Sequence, residues 1–255
     1  MKGVIGAQLF TVREHTQTIE AVAETLAKVA KIGYTAIQIS AFGPVDPKAV
    51  ARLVEDHGLT VAATHVGWGD FLNDLDAVIA KHKLWKCAHP AIGGLPGEYF
   101  SQEGIQRFLE ELAPIAEKLA AEGMDFSYHN HSHELGHYGG EKPWLATLYD
   151  LADPRHLKAE LDTYWIQHGG GDPAAWVRRC SGRIPLLHLK DMCVAGKGEI
   201  RMAEIGEGNL NWPAIIAAGQ DAGVEYYLVE QDQCYGRDPF ECLAISYRNL
   251  KAMGL

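Results

Sequence analysis

The chain has 255 residues, 47% of them hydrophobic, and a formal net charge of −10. This length suits one large domain or two small ones, and α/β barrels commonly fill it alone. Nucleic-acid-binding proteins usually carry a basic stripe, whereas the longest basic run here is the pair Arg178 and Arg179. We therefore expect no nucleic-acid partner.

The cysteines and the N-terminal stretch bear on the compartment. Five cysteines are an odd number, and none of them forms a CxxC motif, which favours a reducing compartment over a disulfide framework. The stretch MKGVIGAQLFTVRE reaches Gln8 and Arg13 too early for the apolar core of a signal peptide. No segment approaches the roughly 18 apolar residues of a membrane helix. The sequence thus predicts a cytoplasmic protein with no membrane partner.

Short apolar runs alternate with longer amphipathic segments along the chain. The predicted strands are Val4–Leu9, Thr35–Ile39, Thr60–Val66, Lys86–Ile92, Met124–His131, Leu157–Asp162, Ile184–Lys190 and Tyr226–Gln231. The segment Thr18–Ile32 has helical periodicity. Ser101, Asp172 and Asp238 are typical helix N-caps, the last two followed by proline. The histidines predicted to face solvent from helices and loops are His15, His57, His82 and His156.

Eight strands that alternate with helices, without a Pro- or Ser-rich linker, predict an α/β fold. We expect residues 1–255 to form a single (β/α)₈ TIM barrel. An open doubly wound sheet is the alternative. The first predicted strand is not followed by GxGxxG, which argues against a dinucleotide-binding version of that sheet.

The active site of such a barrel lies at the carboxyl ends of the strands, where polar residues are concentrated in this sequence. The residues there are Gln8, His65, the stretch Tyr128–Glu134, Asp162, the stretch His188–Asp191, Glu230 and Asp232. Because alternate strand residues point to the same face, residues two apart enter the lumen together. The pairs are Glu160 with Asp162, His188 with Lys190, and Glu230 with Asp232.

This concentration of carboxylates and imidazoles favours a metal site. Crowded carboxylates repel one another and are costly to desolvate, and a cation would relieve both effects. Carboxylate and imidazole ligands suit a divalent ion such as Mn, Mg, Co, Zn or Fe(II). Any one of these residues alone is more often a capping or loop-anchoring residue than a ligand, so the prediction depends on the cluster. Trp165 follows a strand end and suits either a sugar ring or the core.

Several stretches, in order along nearly the whole chain, resemble the sugar phosphate isomerase/epimerase superfamily, the xylose isomerase-like barrels. They are GAQLFTVRE, GYTAIQIS, YHNHSHEL, ELDTYWIQHGGGDP, GRIPLLHLKDM, IGEGNLNWPAI, YYLVEQDQC and DPFECLAISYRNLK. The superfamily also contains ketose 3-epimerases, inosose dehydratase, hydroxypyruvate isomerase and endonuclease IV-type repair enzymes. The resemblance therefore implies a barrel fold and leaves the reaction open.

The resemblance also implies a ligand set for one divalent metal ion (Mn, Mg, Co or Zn). In ketose epimerases, Glu, Asp, His and Glu at the ends of strands five to eight hold the metal. Carried over by motif, these are Glu134, Asp162, His188 and Glu230. The fifth-strand ligand stays open, because His129, His131 and His133 compete with Glu134 for that position.

Two positions depart from the ketose epimerase pattern. Many relatives have an acid at the end of the second strand, where this chain has Gln38. The arginine that follows the HL motif in ketose epimerases is replaced by the pair Lys190 and Asp191. The YHNH and HLKD forms of this chain look more like a subgroup for which inosose-type and 3-keto-sugar chemistry is expected.

The resemblance implies proton removal next to the ketone of a sugar or sugar-like small molecule, through a metal-stabilised enediolate. Glu134 or Glu230 is the expected base, and His131 or Lys190 the expected acid if a β-leaving group departs. The residues expected to bind substrate are Gln8, His65, His129, Trp165 and Asp232. Epimerisation, isomerisation and dehydratase or lyase chemistry all remain open, and a homo-oligomer is compatible with the sequence.

Three other classes compete with this interpretation. An endonuclease IV-like phosphodiesterase is disfavoured by the acidic balance of the chain. A non-catalytic sugar-binding barrel has the same fold and cluster. A hydroxypyruvate-type isomerase needs a basic clamp for a carboxylate, for which Arg13 and Lys190 are the candidates.

Overall fold

The computed structural model describes residues 3–255 and shows strands alternating with helices. The strands are Val4–Gln8 (β1), Ala36–Ile39 (β2), Thr60–His65 (β3), Pro90–Ile92 (β4), Ser127–His129 (β5), Lys158–Asp162 (β6), Leu186–Leu189 (β7), Asp191–Ala195 (β8), Glu199–Ala203 (β9) and Tyr226–Val229 (β10). The α-helices are Ile19–Ile32 (α1), Pro47–Asp56 (α2), Trp68–Asn73 (α3), Leu75–Trp85 (α4), Gln102–Ala121 (α5), Trp144–Leu151 (α6), Thr163–His168 (α7), Pro173–Arg179 (α8), Trp212–Ala222 (α9) and Pro239–Ala252 (α10). Short 3₁₀ helices cover Leu9–His15, Gly97–Tyr99 and His133–Leu135.

Eight of these strands close into a parallel barrel in the order β1-β10-β7-β6-β5-β4-β3-β2. The register brings Asp162 of β6 opposite His188 of β7, and His188 opposite Leu228 of β10. The predicted (β/α)₈ barrel is therefore confirmed. No helix among the described residues is long and apolar enough to cross a membrane.

The lumen is apolar towards the amino ends of the strands and polar towards their carboxyl ends. Ala36, Leu186 and Leu228 pack together in a buried cluster, and each lies two residues before a polar residue of the same strand run. Strand alternation directs both members of such a pair into the lumen. This apolar floor leaves the carboxyl end as the polar, accessible mouth of the barrel.

The strands are shorter than the apolar runs that predict them. The run Met124–His131 contributes only Ser127–His129 as a strand, and Lys86–Ile92 contributes only Pro90–Ile92. Met124 and Phe126 are nevertheless buried, because the connections at the amino end of the barrel pack against the helices. Buried residues in these connections are apolar too, so the apolar runs in the sequence are longer than the hydrogen-bonded strands.

The helix starts follow the predicted caps. The Ser101 hydroxyl accepts a hydrogen bond from Gly104 N at 2.9 Å and starts α5. The carboxylates of Asp172 and Asp238 cap α8 and α10 in the same way. Each cap satisfies a backbone N–H that has no partner inside its helix.

The prediction that His82 faces solvent is wrong. Its imidazole, on α4, is 0% exposed. One ring nitrogen lies 2.7 Å from the Thr64 hydroxyl on β3 and the other 2.7 Å from the carbonyl of Val78. Because both nitrogens have partners, His82 can join the helix to the barrel without an unsatisfied polar atom. Burial lowers its pKa, which favours the neutral ring.

A β-hairpin that the sequence reading does not predict follows β7. The antiparallel strands β8 and β9 pair Asp191 with Ala203. The buried Asp191 carboxylate then organises the following loop by accepting hydrogen bonds. Its donors are the backbone N–H groups of Met192, Gly206, Gly208 and Leu210 and the indole N–H of Trp212. One carboxylate therefore fixes the path of the chain from the hairpin to α9.

Candidate metal centre and active site

The carboxyl ends of four neighbouring barrel strands bring four buried side chains together. His129 ends β5, Asp162 ends β6, His188 lies in β7 and Glu230 follows β10. One ligand atom from each residue lies within 4.8 Å of every other. Two imidazoles and two carboxylates form a donor set that suits Mn²⁺, Co²⁺, Zn²⁺ or Fe²⁺, so this cluster fits a divalent ion.

The ligand atoms of this cluster point at one another. His188 Nδ1 lies 2.9 Å from Glu230 Oε2 and 3.9 Å from Asp162 Oδ2. His129 Nε2 lies 3.3 Å from the same Asp162 oxygen. Asp162 is itself fixed, because its Oδ1 accepts a hydrogen bond from the N–H of Trp165 at 2.9 Å at the start of α7.

Lys190 supplies a positive charge beside this cluster. Its side chain is 1% exposed, and Nζ lies 3.1 Å from Asp162 Oδ2 and 3.0 Å from Glu230 Oε2. A third carboxylate, Asp232, lies 2.8 Å from Nζ. Although burial opposes the charge, these carboxylates raise the pKa of Lys190 well above its ordinary value. The candidate metal ligands Asp162 and Glu230 therefore each have one oxygen in contact with the Lys190 ammonium group.

Five side chains below the cluster form a hydrogen-bonded chain across the barrel, which we call the lumen network. Its members are Gln8, Gln38, His65, Glu160 and His188. Glu160 is central, since it accepts from Gln38 Nε2 at 2.7 Å and pairs with His65 Nε2 at 2.7 Å. Strand alternation predicts that Glu160 points into the lumen, but it indicates no role for this residue. In the sequence, Gln38 is notable only because many relatives have an acid at that position.

The carboxylates around His188 determine its charge. Burial opposes protonation, but Glu160 and Glu230 raise the pKa of His188 to about 10. Burial likewise opposes ionisation of Glu160, yet the imidazoles of His188 and His65 hold the pKa of this carboxyl below its ordinary value. Without a bound metal ion, His188 is thus a cation between two carboxylates.

Asp232 differs from the other carboxylates of the mouth. Burial and the neighbouring Glu230 raise the pKa of Asp232 to about 6, although Lys190 opposes this shift. The pKa of Glu230 is lowered, because Lys190 and His188 outweigh its burial. Two acids on one strand end thus differ in proton affinity, which is common where an enzyme moves protons.

The predicted ligand Glu134 lies outside this cluster. It belongs to the 3₁₀ turn His133–Leu135, and its carboxylate is 0% exposed. The Tyr128 hydroxyl and the N–H of His131 each donate a hydrogen bond to it at 2.9 Å. The turn folds the carboxylate back towards its own loop, and Glu134 groups instead with His131 and His133. The structure places His129, not Glu134, beside Asp162, and Glu134 as a metal ligand stays a prediction.

The mouth encloses a cavity of about 310 Å³, small among small-molecule sites. The predicted residues that line it are His65, His129, His131, Lys190, Glu230 and Asp232. Gln8 is buried behind His65, with its amide bonded to Phe10 N and near His65 Nδ1. Trp165 lies beside Lys190, whose Nζ is 5.5 Å from the centre of the indole ring. Neither Gln8 nor Trp165 lines this cavity.

His131 faces the cavity as a neutral base. Burial, followed by the neighbouring His129, lowers the pKa of His131 to about 3. Its Nδ1 atom has no hydrogen-bond partner among residues 3–255. This nitrogen is itself buried, so His131 lines the cavity with other ring atoms and keeps one polar atom unsatisfied.

A closed parallel barrel with a His₂AspGlu cluster at its carboxyl mouth defines a (β/α)₈ barrel with a candidate divalent-metal centre. Residues 26–233 match the profile of the xylose isomerase-like TIM barrel family. The chain belongs to this family.

Proteins similar to this chain are named for different reactions, and what they share most clearly with it is the fold. Inosose dehydratase of Geobacillus kaustophilus (strain HTA426) is 24% identical over 195 residues, which are 66% of this chain and 61% of that protein. The structure of a sugar phosphate isomerase/epimerase from Parabacteroides distasonis ATCC 8503 covers 98% of both chains at 21% identity and a TM-score of 0.82. The structure of an L-ribulose 3-epimerase is 19% identical with a TM-score of 0.74, over 99% of this chain and 94% of that one. At these identities the solved structures establish the fold alone.

Proposed function

We propose that this protein is a divalent-metal-dependent isomerase or epimerase that removes a proton next to the carbonyl of an uncharged keto-sugar or cyclitol ketone. The convergence of His129, Asp162, His188 and Glu230 within 4.8 Å supports this proposal. A divalent ion held by these residues would supply the positive charge that stabilises a developing oxyanion. The similar proteins inosose dehydratase and L-ribulose 3-epimerase are named for reactions consistent with chemistry next to a ketone.

Glu230 is the proposed base. It is ionised, because Lys190 and His188 lower its pKa, and it lines the cavity. Glu134, the alternative base, is fully buried and accepts two hydrogen bonds outside the cluster. Lys190 contacts Glu230 at 3.0 Å and Asp232 at 2.8 Å, so its ammonium group holds the two carboxylates side by side.

The charges of the mouth favour an uncharged substrate. The Lys190 ammonium is already held by three carboxylates, those of Asp162, Glu230 and Asp232. The other predicted cation, Arg13, donates to the carbonyls of Phe10 and Asp232. Neither cation therefore offers a free clamp for a phosphate or carboxylate group, and a polyhydroxylated ketone needs none. This argues against a hydroxypyruvate-type isomerase.

Elimination is the second candidate reaction. The Lys190 ammonium, beside Asp232, is placed to protonate a departing hydroxyl or alkoxide once the α-proton is lost. The same base and the same cluster would then perform a dehydratase or lyase reaction on an inosose or 3-keto-glycoside. The two reactions differ only in the step that follows proton removal.

Exchange with solvent tests the proposal. We expect wild-type protein in D₂O to incorporate deuterium at the carbon next to the carbonyl of neutral keto-sugars, 3-keto-glycosides or inososes. Label in recovered substrate or an epimer supports isomerase chemistry, and label with loss of a hydroxyl or alkoxide supports elimination. Removal of metal by chelator, or the Glu230→Gln substitution, should abolish exchange, whereas phosphorylated analogues should not react. Turnover of a substrate without carbon-bound deuterium would show that the proposed proton removal is wrong.

A further inference from the structure

The lumen network has a direction that follows from one backbone contact. Gln8 Oε1 accepts a hydrogen bond from the N–H of Phe10 at 2.8 Å, so the other amide atom, Nε2, must act as a donor. This Nε2 lies 3.4 Å from Nδ1 of His65, which therefore acts as the acceptor. His65 Nε2, at 2.7 Å from Glu160 Oε2, is left to donate to that carboxylate.

The other half of the network has the same polarity. Gln38 Nε2 donates to Glu160 Oε1 at 2.7 Å, because a carboxylate only accepts. Gln38 Oε1, at 2.6 Å, is then the nearer acceptor for Nε2 of His188, while Glu160 Oε1 lies 3.3 Å from the same nitrogen. The remaining ring nitrogen, Nδ1 of His188, faces Asp162 and Glu230 in the candidate metal centre.

We propose that Gln38 and Glu160 are positioning residues that hold His188 with its proton on Nε2 and so reserve Nδ1 for the metal ion. The metal part of this inference rests on the proposed function, whereas the direction of the network does not. Metal-binding histidines commonly donate their second N–H to an oxygen acceptor, which fixes the tautomer and the ring plane. Here that oxygen belongs to an amide, and Glu160 fixes the amide in turn.

This assignment gives a physical reason for glutamine at position 38. A carboxylate there would face Glu160 across the 2.7 Å that now holds an N–H···O bond, and two buried like charges at that distance are costly. An amide donates on one side and accepts on the other. Gln38 therefore satisfies the acidic Glu160 and the basic His188 at the same time.

Zn²⁺ binding to purified variants tests the positioning role. Gln38→Met removes the nearer acceptor of His188 Nε2 and leaves only Glu160 Oε1, at 3.3 Å, so we expect its Zn²⁺ affinity to fall by about 10–100-fold. Gln38→Glu keeps an oxygen towards His188 and should bind Zn²⁺ with an affinity near that of the wild type. Its melting temperature should be lower, because the new carboxylate faces Glu160. The matched control Thr64→Val removes a buried hydrogen bond to His82 on the outer side of β3 and should leave affinity unchanged. A Gln38→Met protein that binds Zn²⁺ as tightly as the wild type would overturn the role.

Nitrogen chemical shifts of ¹⁵N-histidine-labelled protein test the network without any activity. In the metal-free protein we expect His65 to carry its proton on Nε2 alone. In the Zn²⁺ form we expect the same for His188, with Nδ1 bound to the ion. A wild type that binds no divalent ion would contradict the proposed function. The position of the proton on His65 would then still test the assigned direction of the hydrogen bonds in the lumen network. A His65 proton on Nδ1 alone would overturn its assigned direction.

Discussion

Replacing Lys190 with methionine removes the ammonium group and keeps an unbranched side chain of similar size. Lys190 is 1% exposed, and Nζ contacts Asp162, Glu230 and Asp232 at 2.8–3.1 Å. Breaking a buried ion pair from one side typically costs about 3–5 kcal/mol, because the remaining charge stays buried. One kcal/mol lowers the melting temperature of a domain of this size by about 2–4 °C. We therefore expect metal-free Lys190→Met to melt roughly 6–20 °C below the wild type.

A divalent ion should reverse much of this loss, since it would bind among the same carboxylates. Saturation 100-fold above the dissociation constant contributes about 2.7 kcal/mol, and the variant should bind Mn²⁺ more tightly than the wild type because no ammonium competes. Calorimetric melting with chelator and with Mn²⁺ measures both effects. Lys118→Met, which removes an exposed ion pair with Asp76, is the control and should cost at most about 1 kcal/mol. Metal-free Lys190→Met that melts no lower than this control would refute the reasoning.

Three further predictions follow from the same site. The wild type should purify with about one divalent ion per chain by elemental analysis, and Asp162→Asn should lose most of it; equal metal content in both would contradict the assigned centre. His129→Ala should also lose metal, whereas Glu134→Gln should keep it, and the opposite result would restore Glu134 as the fifth-strand ligand. Asp232, whose pKa is about 6 when folded against about 3.9 unfolded, takes up a proton on folding, so its contribution to stability declines as pH rises through this range. Denaturant unfolding should therefore show Asp232→Asn gaining stability relative to the wild type from about pH 4 to about pH 6, and a constant difference would argue against the raised pKa.

The fold was predictable because its signals are local. Alternating apolar runs and helical periodicity give the order of elements, and caps such as Ser101 give helix starts to within a residue. The ends of the strands were less predictable, since residues such as Phe126 are buried in connections as deeply as in strands. The hairpin after β7 was missed because its strands are largely exposed and mix polar with apolar residues, so they lack the buried apolar run that marks a barrel strand.

The site was predictable where strand alternation alone decides it. Asp162, His188 and Glu230 end neighbouring strands, so any closed barrel brings them together. Glu134 lies three residues past His131, and its position depends on a 3₁₀ turn that the sequence pattern does not indicate. Gln38 and Glu160 were visible as lumen residues, but their role depends on which amide atom faces which partner. For Gln38 that choice is made by the Glu160 carboxylate, which only accepts and lies 122 residues away in the sequence.

The Asp191 carboxylate anchors the hairpin and the loop that follows it at their base, while the tips of the strands extend away from the barrel. Val194 and Ile200 at the outer part of the hairpin are 57% and 43% exposed. The side of the hairpin nearest the mouth reaches the chain after β10, where Met202 Sδ accepts from the N–H of Asp232. The hairpin is therefore a module that evolution or an engineer can lengthen, shorten or exchange without rebuilding the barrel. Changes in its outer part would reshape the approach to the cavity while the residues of the candidate site stay in place.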